Sequence, residues 1–296
     1  MTKVDDDVPF LNKLYVQQLG SRLKFLLGTV FDEILQEDMR RRAARGKPGQ
    51  RHLLPELLEN AFRAADENER GKEPRYGADA AAFCSIVSVL ERRSADPGFS
   101  LMLPRLADPA NFRHDLIVLS FTDHILQHTP YQVALPATPG ESHRSFDILL
   151  MDGASPGLEI EVKARQELEG PEKLVSEKDA LIAIRKAWRK AVGPTKQLTG
   201  GRAGALLLGG VTMHLESLLT LQRAGIGWLR NNASSHPNLW GMIFLTMITM
   251  NDDPVYSGHE DQRRKWVKLT SRVQMSACAN PHYAGAVNLQ FTPSVF

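Results

Sequence analysis

Cysteine is scarce in this chain: Cys84 and Cys278 are the only two among 296 residues, and they lie far apart. That excludes a four-thiolate zinc site within one chain and fits a reducing compartment in which both thiols pack as core residues. No apolar signal core follows the start, because Met1-Thr2-Lys3-Val4 runs straight into Asp5, Asp6 and Asp7; secretion is not expected and a cytoplasmic location is. The longest apolar stretches, 203–211 and 241–250, reach about half of the roughly 20 residues that a membrane span requires and read as buried strands. Neither sign of charge dominates, since 36 basic and 34 acidic side chains leave a formal net charge of +2. Such a balance argues neither for nor against a polyanionic partner. A G-K-[ST] phosphate loop is missing as well, so the chain is not expected to hydrolyse ATP itself.

Hydrophobic residues at 43% and charged residues at 24% are ordinary for a folded globular protein. The length allows two compact domains, or one large domain with an elaborated end. From Phe10 to about Arg45, Leu14, Leu19, Leu23, Leu26, Leu27, Val30, Ile34 and Leu35 recur at three- and four-residue steps, which predicts one long amphipathic helix. It would end in Arg40-Arg41-Arg42 and Arg45, where the helix dipole favours cations, and stop at Gly46, Pro48 and Gly49. The run Arg40 to Arg51 is a helix-end charge cluster or a surface for a partner or nucleic acid, the first being the cheaper explanation. Further helices are expected over 55–68, 78–93 and 113–128.

At Tyr131 the period changes to that of strands: 131–136, 146–151 and 158–163, with turn signals at Pro139-Gly140 and Gly153 to Gly157. A helix then starts at Ser176, with Asp179 in the acidic place of a capping box and Leu181, Ile184, Trp188 and Val192 as its apolar stripe. A buried strand over 203–211, a helix over 214–229 and a strand over 240–249 complete the order. The fold class is α/β, a mixed sheet flanked by helices behind a mostly helical N-terminal region. The expected organisation is a helical region over 1–110, a core over 111–250 and a C-terminal extension packing on it over 251–296.

The third strand carries chemistry. Side chains alternate along it, so Glu159, Glu161 and Lys163 share one face while Leu158, Ile160 and Val162 point into the core. Asp147 begins the preceding strand, and a hairpin through Gly153 and Gly157 brings its carboxylate toward that of Glu161. Two adjacent carboxylates repel unless a cation sits between them. Mg²⁺ prefers oxygen ligands and keeps several waters, so Asp147, Glu161 and the Val162 carbonyl would suffice. Lys163 could polarise a water and stabilise charge on a phosphorane-like transition state. Of the 13 lysines, Lys163 alone has an acid two residues earlier.

Phe146-Asp147-Ile148-Leu149-Leu150, a short turn, and Glu159-Ile160-Glu161-Val162-Lys163-Ala164 together resemble the PD-(D/E)xK, or restriction-endonuclease-like, nuclease superfamily over about residues 113–250. The resemblance implies an α-β-β-β-α-β core, Mg²⁺ or Mn²⁺ as cofactor, Asp147 and Glu161 as metal ligands and Lys163 as the catalytic lysine. Ser145-Phe146 stands where the pattern has proline. Accessory roles fall to Glu159, to Gln197 or Lys190 for the glutamine or lysine that relatives carry in the following helix, and to Glu33 or Asp123 for a glutamate before the sheet. From Ala180 to Leu215 there is no acid, while Arg185, Lys186, Arg189, Lys190, Lys196 and Arg202 accumulate. That basic stretch would hold a nucleic-acid backbone without reading sequence, or is a solvated helix face.

Other signals carry less. Gly153-Ala154-Ser155-Pro156-Gly157 spells a nucleophile elbow, but a strand follows it instead of a helix. His124 and His128 have zinc-ligand spacing without the zincin glutamate. Trp188, Trp228, Trp240 and Trp266 could stack bases, but Trp188 and Trp240 read as core. The function expected is a Mg²⁺-dependent nuclease acting on DNA, with RNA as the other substrate. The resemblance extends to effectors of bacterial defence or restriction systems; the long helix and the missing ATP motif suggest a nuclease held inactive until a partner such as a separate ATPase, or a signal, releases it, and a homo-oligomer is the other association considered. The rival is a catalytically inactive nuclease-fold subunit that serves as a nucleic-acid-binding or assembly module.

Overall fold

The computed structural model describes residues 10–43, 51–96, 98–135, 146–153, 157–170, 173–193, 198, 202–250, 255–256, 265–266 and 270–285. The chain forms two compact units, one of residues 1–94, 103–112 and 248–272 and the other of 95–102, 113–247 and 273–296. Among the described residues there are eight α-helices, and none is long and apolar enough to cross a membrane.

The first unit is mostly helical, with α1 (Lys13–Leu27), α2 (Thr29–Ala43), α3 (Leu53–Glu69) and α4 (Gly77–Arg93). The Asn12 side chain caps α1 by accepting from the Tyr15 N–H at 2.7 Å. Val16, Leu19, Leu23 and Leu27 bury one stripe of it. The single long helix expected over 10–45 is two helices, because Gly28 between them has φ 56 and ψ −129. Only glycine adopts that conformation without strain. The basic run after it is taken up by the unit's own acids. Arg40 and Arg41 pair with Glu37, and Arg42 and Arg51 flank the buried Asp38 and the partly exposed Glu59. Arg45 lies outside the described residues. Cys84, expected in the core, is half-buried, with its sulfur 3.4 Å from the Tyr15 hydroxyl.

The second unit is built on a mixed six-stranded sheet in the order β1 (Gln132–Ala134), β2 (Ile148–Met151), β3 (Leu158–Ala164), β4 (Gly204–Gly210), β5 (Leu239–Met250) and β8 (Thr270–Ala279). Neighbours β1, β2 and β3 are antiparallel, whereas β3, β4 and β5 run parallel. The short strands β6 (Val255–Tyr256) and β7 (Lys265–Trp266) pair separately and belong to the first unit. Helix α5 (Phe99–Met102) precedes α6 (Pro109–His128), which is buried on almost every side, as an apolar helix must be. Ile117 of α6 stands over Gly209, where an added Cβ would come within 2.8 Å of it. Helices α7 (Glu177–Ala191) and α8 (Leu215–Asn232) cover the opposite face, in one apolar cluster with Leu206, Leu208, Met242, Phe244 and the buried Cys278. Gly225 lets α8 approach, since a Cβ there would meet Phe244 and Cys278 at 2.8 and 2.9 Å.

Ser176 caps α7 as expected, accepting from the Asp179 N–H at 3.1 Å. The buried stripe differs: Ala180, Ala183, Ile184, Ala187 and Ala191 face the sheet, while Leu181 is 42% exposed. Small side chains let the helix sit close to the strands, a gain that a leucine's bulk would forfeit. Gly28→Ala should lower the unfolding free energy by about 1–3 kcal/mol, and this must come from the backbone because an added Cβ meets nothing within 4 Å. Denaturant unfolding that is unchanged in this variant would rule out Gly28 as the cause of the helix break.

Candidate active site

Asp147 and Glu161 are brought together by the β2–β3 hairpin, which pairs Ile148 with Ile160. Beyond that pair the Asp147 N–H donates to the Ile160 carbonyl at 3.1 Å, and its Oδ2 accepts from the Val162 N–H at 2.7 Å. In a strand the N–H and C=O of one residue point to the same edge, so the Val162 carbonyl lies on the Asp147 side of β3. Lys163 donates to the Glu161 Oε1. The three residues singled out by spacing therefore form one cluster.

The layer around them is apolar. Across the sheet Glu161 is in register with Leu206 and Met242, and Lys163 with Leu208 and Phe244. The face of β3 that carries Glu161 and Lys163 thus continues into the layer under α7 and α8, and Glu161 is 0% exposed. Burial, reinforced by the negative charge of Asp147, pushes the Glu161 carboxyl up to about 7 despite Lys163. For Asp147 burial acts upward too. The His114 hydrogen bond and charge, the Val162 N–H and Lys163 outweigh it and hold Asp147 below the usual carboxylate range.

His114 is the site residue that pattern reading missed. It sits in the first turns of α6, with Nε2 3.3 Å from Asp147 Oδ2 and Nδ1 3.1 Å from Asp115 Oδ1. Burial alone would lower its pKa, but the two carboxylates raise it to about 9. A buried Asp115 next to a half-buried histidine at a helix start is a faint signal, legible only once the sheet end is known.

The other candidates scatter. Glu159 is paired with Arg202 at 3.1 Å, which occupies both. Arg185, Lys186, Arg189 and Lys190 are exposed on the side of α7 turned away from the sheet; of these, Lys186 reaches Glu167 at 3.8 Å. Lys196, Gln197 and Ser155 lie outside the described residues. Glu33 is exposed on α2 of the first unit. Asp123 accepts from Gln127 and stands nine residues along α6 from His114, about 13.5 Å of helix, too far to join this cluster. The His124 and His128 rings lie tilted against each other with centroids 4.6 Å apart, and His124 is half-buried. Trp188 packs edge-on to Trp228 and His236, within the α7–α8 layer.

Residues that could hold a divalent cation are Asp147, Glu161 and the Val162 carbonyl. They fit, because Glu161 Oε2 is buried without a hydrogen-bond partner among the described residues, and hard oxygen donors suit Mg²⁺ or Mn²⁺. No group of three His, Cys, Asp or Glu side chains suited to a metal occurs among the described residues. Two carboxylates are nonetheless the usual protein share of a Mg²⁺ shell. Compared with family models, curated proteins and solved structures, the chain has no match.

The shifted groups set a pH dependence. The folded state holds protons on Glu161 above its ordinary 4.5 and on His114 above its ordinary 6.5. Through the range in which these two groups titrate, they make the native chain bind more protons than the unfolded one, and their contribution to stability falls as pH rises; the lowered Asp147 acts in the opposite sense, below its ordinary 3.8. The Glu161 contribution is lost between about 4.5 and 7 and the His114 contribution between 6.5 and about 9. Melting in chelator should show Tm falling across both windows, with Glu161→Gln flattening the lower and His114→Gln the upper. A Tm that rises from pH 6 to 9 would contradict this.

Proposed function

We propose that this chain is a metal-dependent nuclease with a restriction-endonuclease-like core running from α6 through β1, β2, β3 and α7 to β4. The element order α-β-β-β-α-β supports the fold reading, with β1 to β3 antiparallel and β4 parallel to β3. The observation that carries the function is Glu161, a fully buried carboxylate set between Asp147 and Lys163 in an otherwise apolar layer. An assembly module would have no use for it, because burying a second carboxylate beside the first is unfavourable. Such groups collect where chemistry needs them.

A divalent cation held by Asp147, Glu161 and the Val162 carbonyl would supply Lewis-acid polarisation of a phosphoryl oxygen and a more acidic bound water. Lys163 positions the attacking water and stabilises the charge that builds on the phosphoryl oxygens. His114, braced by Asp115, fixes the Asp147 carboxylate. The apolar layer of Leu206, Leu208, Met242 and Phe244 excludes bulk water, which strengthens each of these interactions. The exposed cations of α7 favour a polyanion, and DNA is the substrate proposed.

The purified protein should cut DNA with Mg²⁺ or Mn²⁺ and stop with a chelator. Asp147→Ala, Glu161→Ala and Lys163→Ala should each lower the rate by about 10²-fold or more. Undiminished cutting by all three variants, with folded spectra, would sink the assignment.

A further inference from the structure

The charged row of β3 continues past Lys163. Arg165 follows the strand in an extended conformation, with φ −132. Alternation therefore puts its side chain on the face of Glu161 and Lys163, about 7 Å beyond the lysine. Its backbone N–H is tied to the Gly209 carbonyl at 2.9 Å, so the position is fixed by the sheet.

The Arg165 side chain is 10% exposed, and Nη1 lies 3.5 Å from the Glu167 carboxylate, which Lys186 shares. Nε and Nη2 have no hydrogen-bond partner among the described residues. A second arginine reaches the same corner. Arg113, next to His114, is 6% exposed, with Nε 3.3 Å from Glu169 Oε2 and no partner for Nη1. Glu169 lies four residues after Arg165, and its other oxygen accepts from the Val211 N–H at 3.1 Å. Two buried guanidinium groups are thus anchored on Glu167 and Glu169, just past the ends of parallel strands β3 and β4. In open α/β sheets, ligands bind beyond the carboxyl ends of parallel strands.

A guanidinium presents N–H groups in a planar fork that matches two oxygens of one oxyanion. We propose that Arg165, with Arg113 beside it, holds a phosphate group adjacent to the one that faces Glu161 and Lys163. The anion follows from the two arginines. That the phosphate belongs to a nucleic-acid backbone rests on the nuclease reading.

Arginine Nε–H signals of the whole wild-type protein can be followed by NMR, with Arg165 assigned from Arg165→Lys, while inorganic phosphate or a single-stranded DNA trinucleotide is added. The Arg165 signal should shift with the trinucleotide. In cutting assays Arg165→Lys, which keeps the charge and loses the fork, should raise KM about tenfold with kcat within about twofold. Arg165→Gln should also lower the slope of log affinity against log salt by about one. A shift with neither probe overturns the anion site. A shift with inorganic phosphate alone, together with unchanged KM, overturns the substrate role and makes this a free-phosphate site. A shift with the trinucleotide in a protein that never cuts DNA upholds the phosphate site and sinks the nuclease reading. If Arg165→Gln fails to fold, the wild-type titration decides.

Discussion

The interaction on which the second unit depends is the confinement of the Glu161 carboxylate between Asp147 and Lys163 inside an apolar layer. A lone buried carboxylate would simply stay protonated. Here a second carboxylate is pinned beside it by the Val162 N–H, so the strand's own backbone enforces the repulsion. Lys163 and His114 answer that charge from two sides. The hairpin register, the start of α6 and the direction of β3 are all needed for this balance; the strands are set by backbone pairing, and the start of α6 by the Asp108 side chain, which accepts from the Ala110 and Asn111 N–H groups.

The same backbone explains why the cluster sits at one end of the sheet. Strands β3 and β4 run parallel and finish together, while β2 runs against β3 and begins there. Residues from the end of β3 and the start of β2 therefore meet, with the first turns of α6 beside them. The alanine face of α7 closes the layer above without adding a polar group. Its cations point outward and take no part in the cluster.

Much of this was legible in the sequence because it is local. Acid and lysine two residues apart on a strand, an aspartate one hairpin earlier and the Ser176 cap are short-range patterns, and the structure keeps them. Arg165 continues the same alternation and could have been read from it. His114 could not, since its role comes from a sheet end that lies far away in sequence. Gly28 was lost inside a strong apolar period, which reports the buried face and is blind to a single residue's φ. Leu181 was misplaced because hydrophobicity predicts burial, whereas a helix pressed on a sheet selects for small size. Strand β8 was overlooked although Arg272-Val273-Gln274-Met275-Ser276-Ala277 alternates polar and apolar residues, the signature of a strand with one covered face.

The arginines of the two units show how burial changes what a cation means. In the first unit Arg42 and Arg51 surround Asp38 and Glu59, so the charges close on one another. Such a network settles its own electrostatics and adds little to stability where it meets solvent. In the second unit Arg113 and Arg165 are more deeply buried, yet several of their N–H groups have no partner among the described residues. Each buried donor left so costs about 1–3 kcal/mol, in a domain whose whole stability is about 5–15 kcal/mol. Stability alone would favour replacing such residues with apolar ones of similar volume. Arg165 stands one step along the strand face from Lys163, and Arg113 lies beside His114 on α6; at the proposed phosphate site an oxyanion would satisfy the donors that the protein leaves open, a return that Arg42 and Arg51 lack.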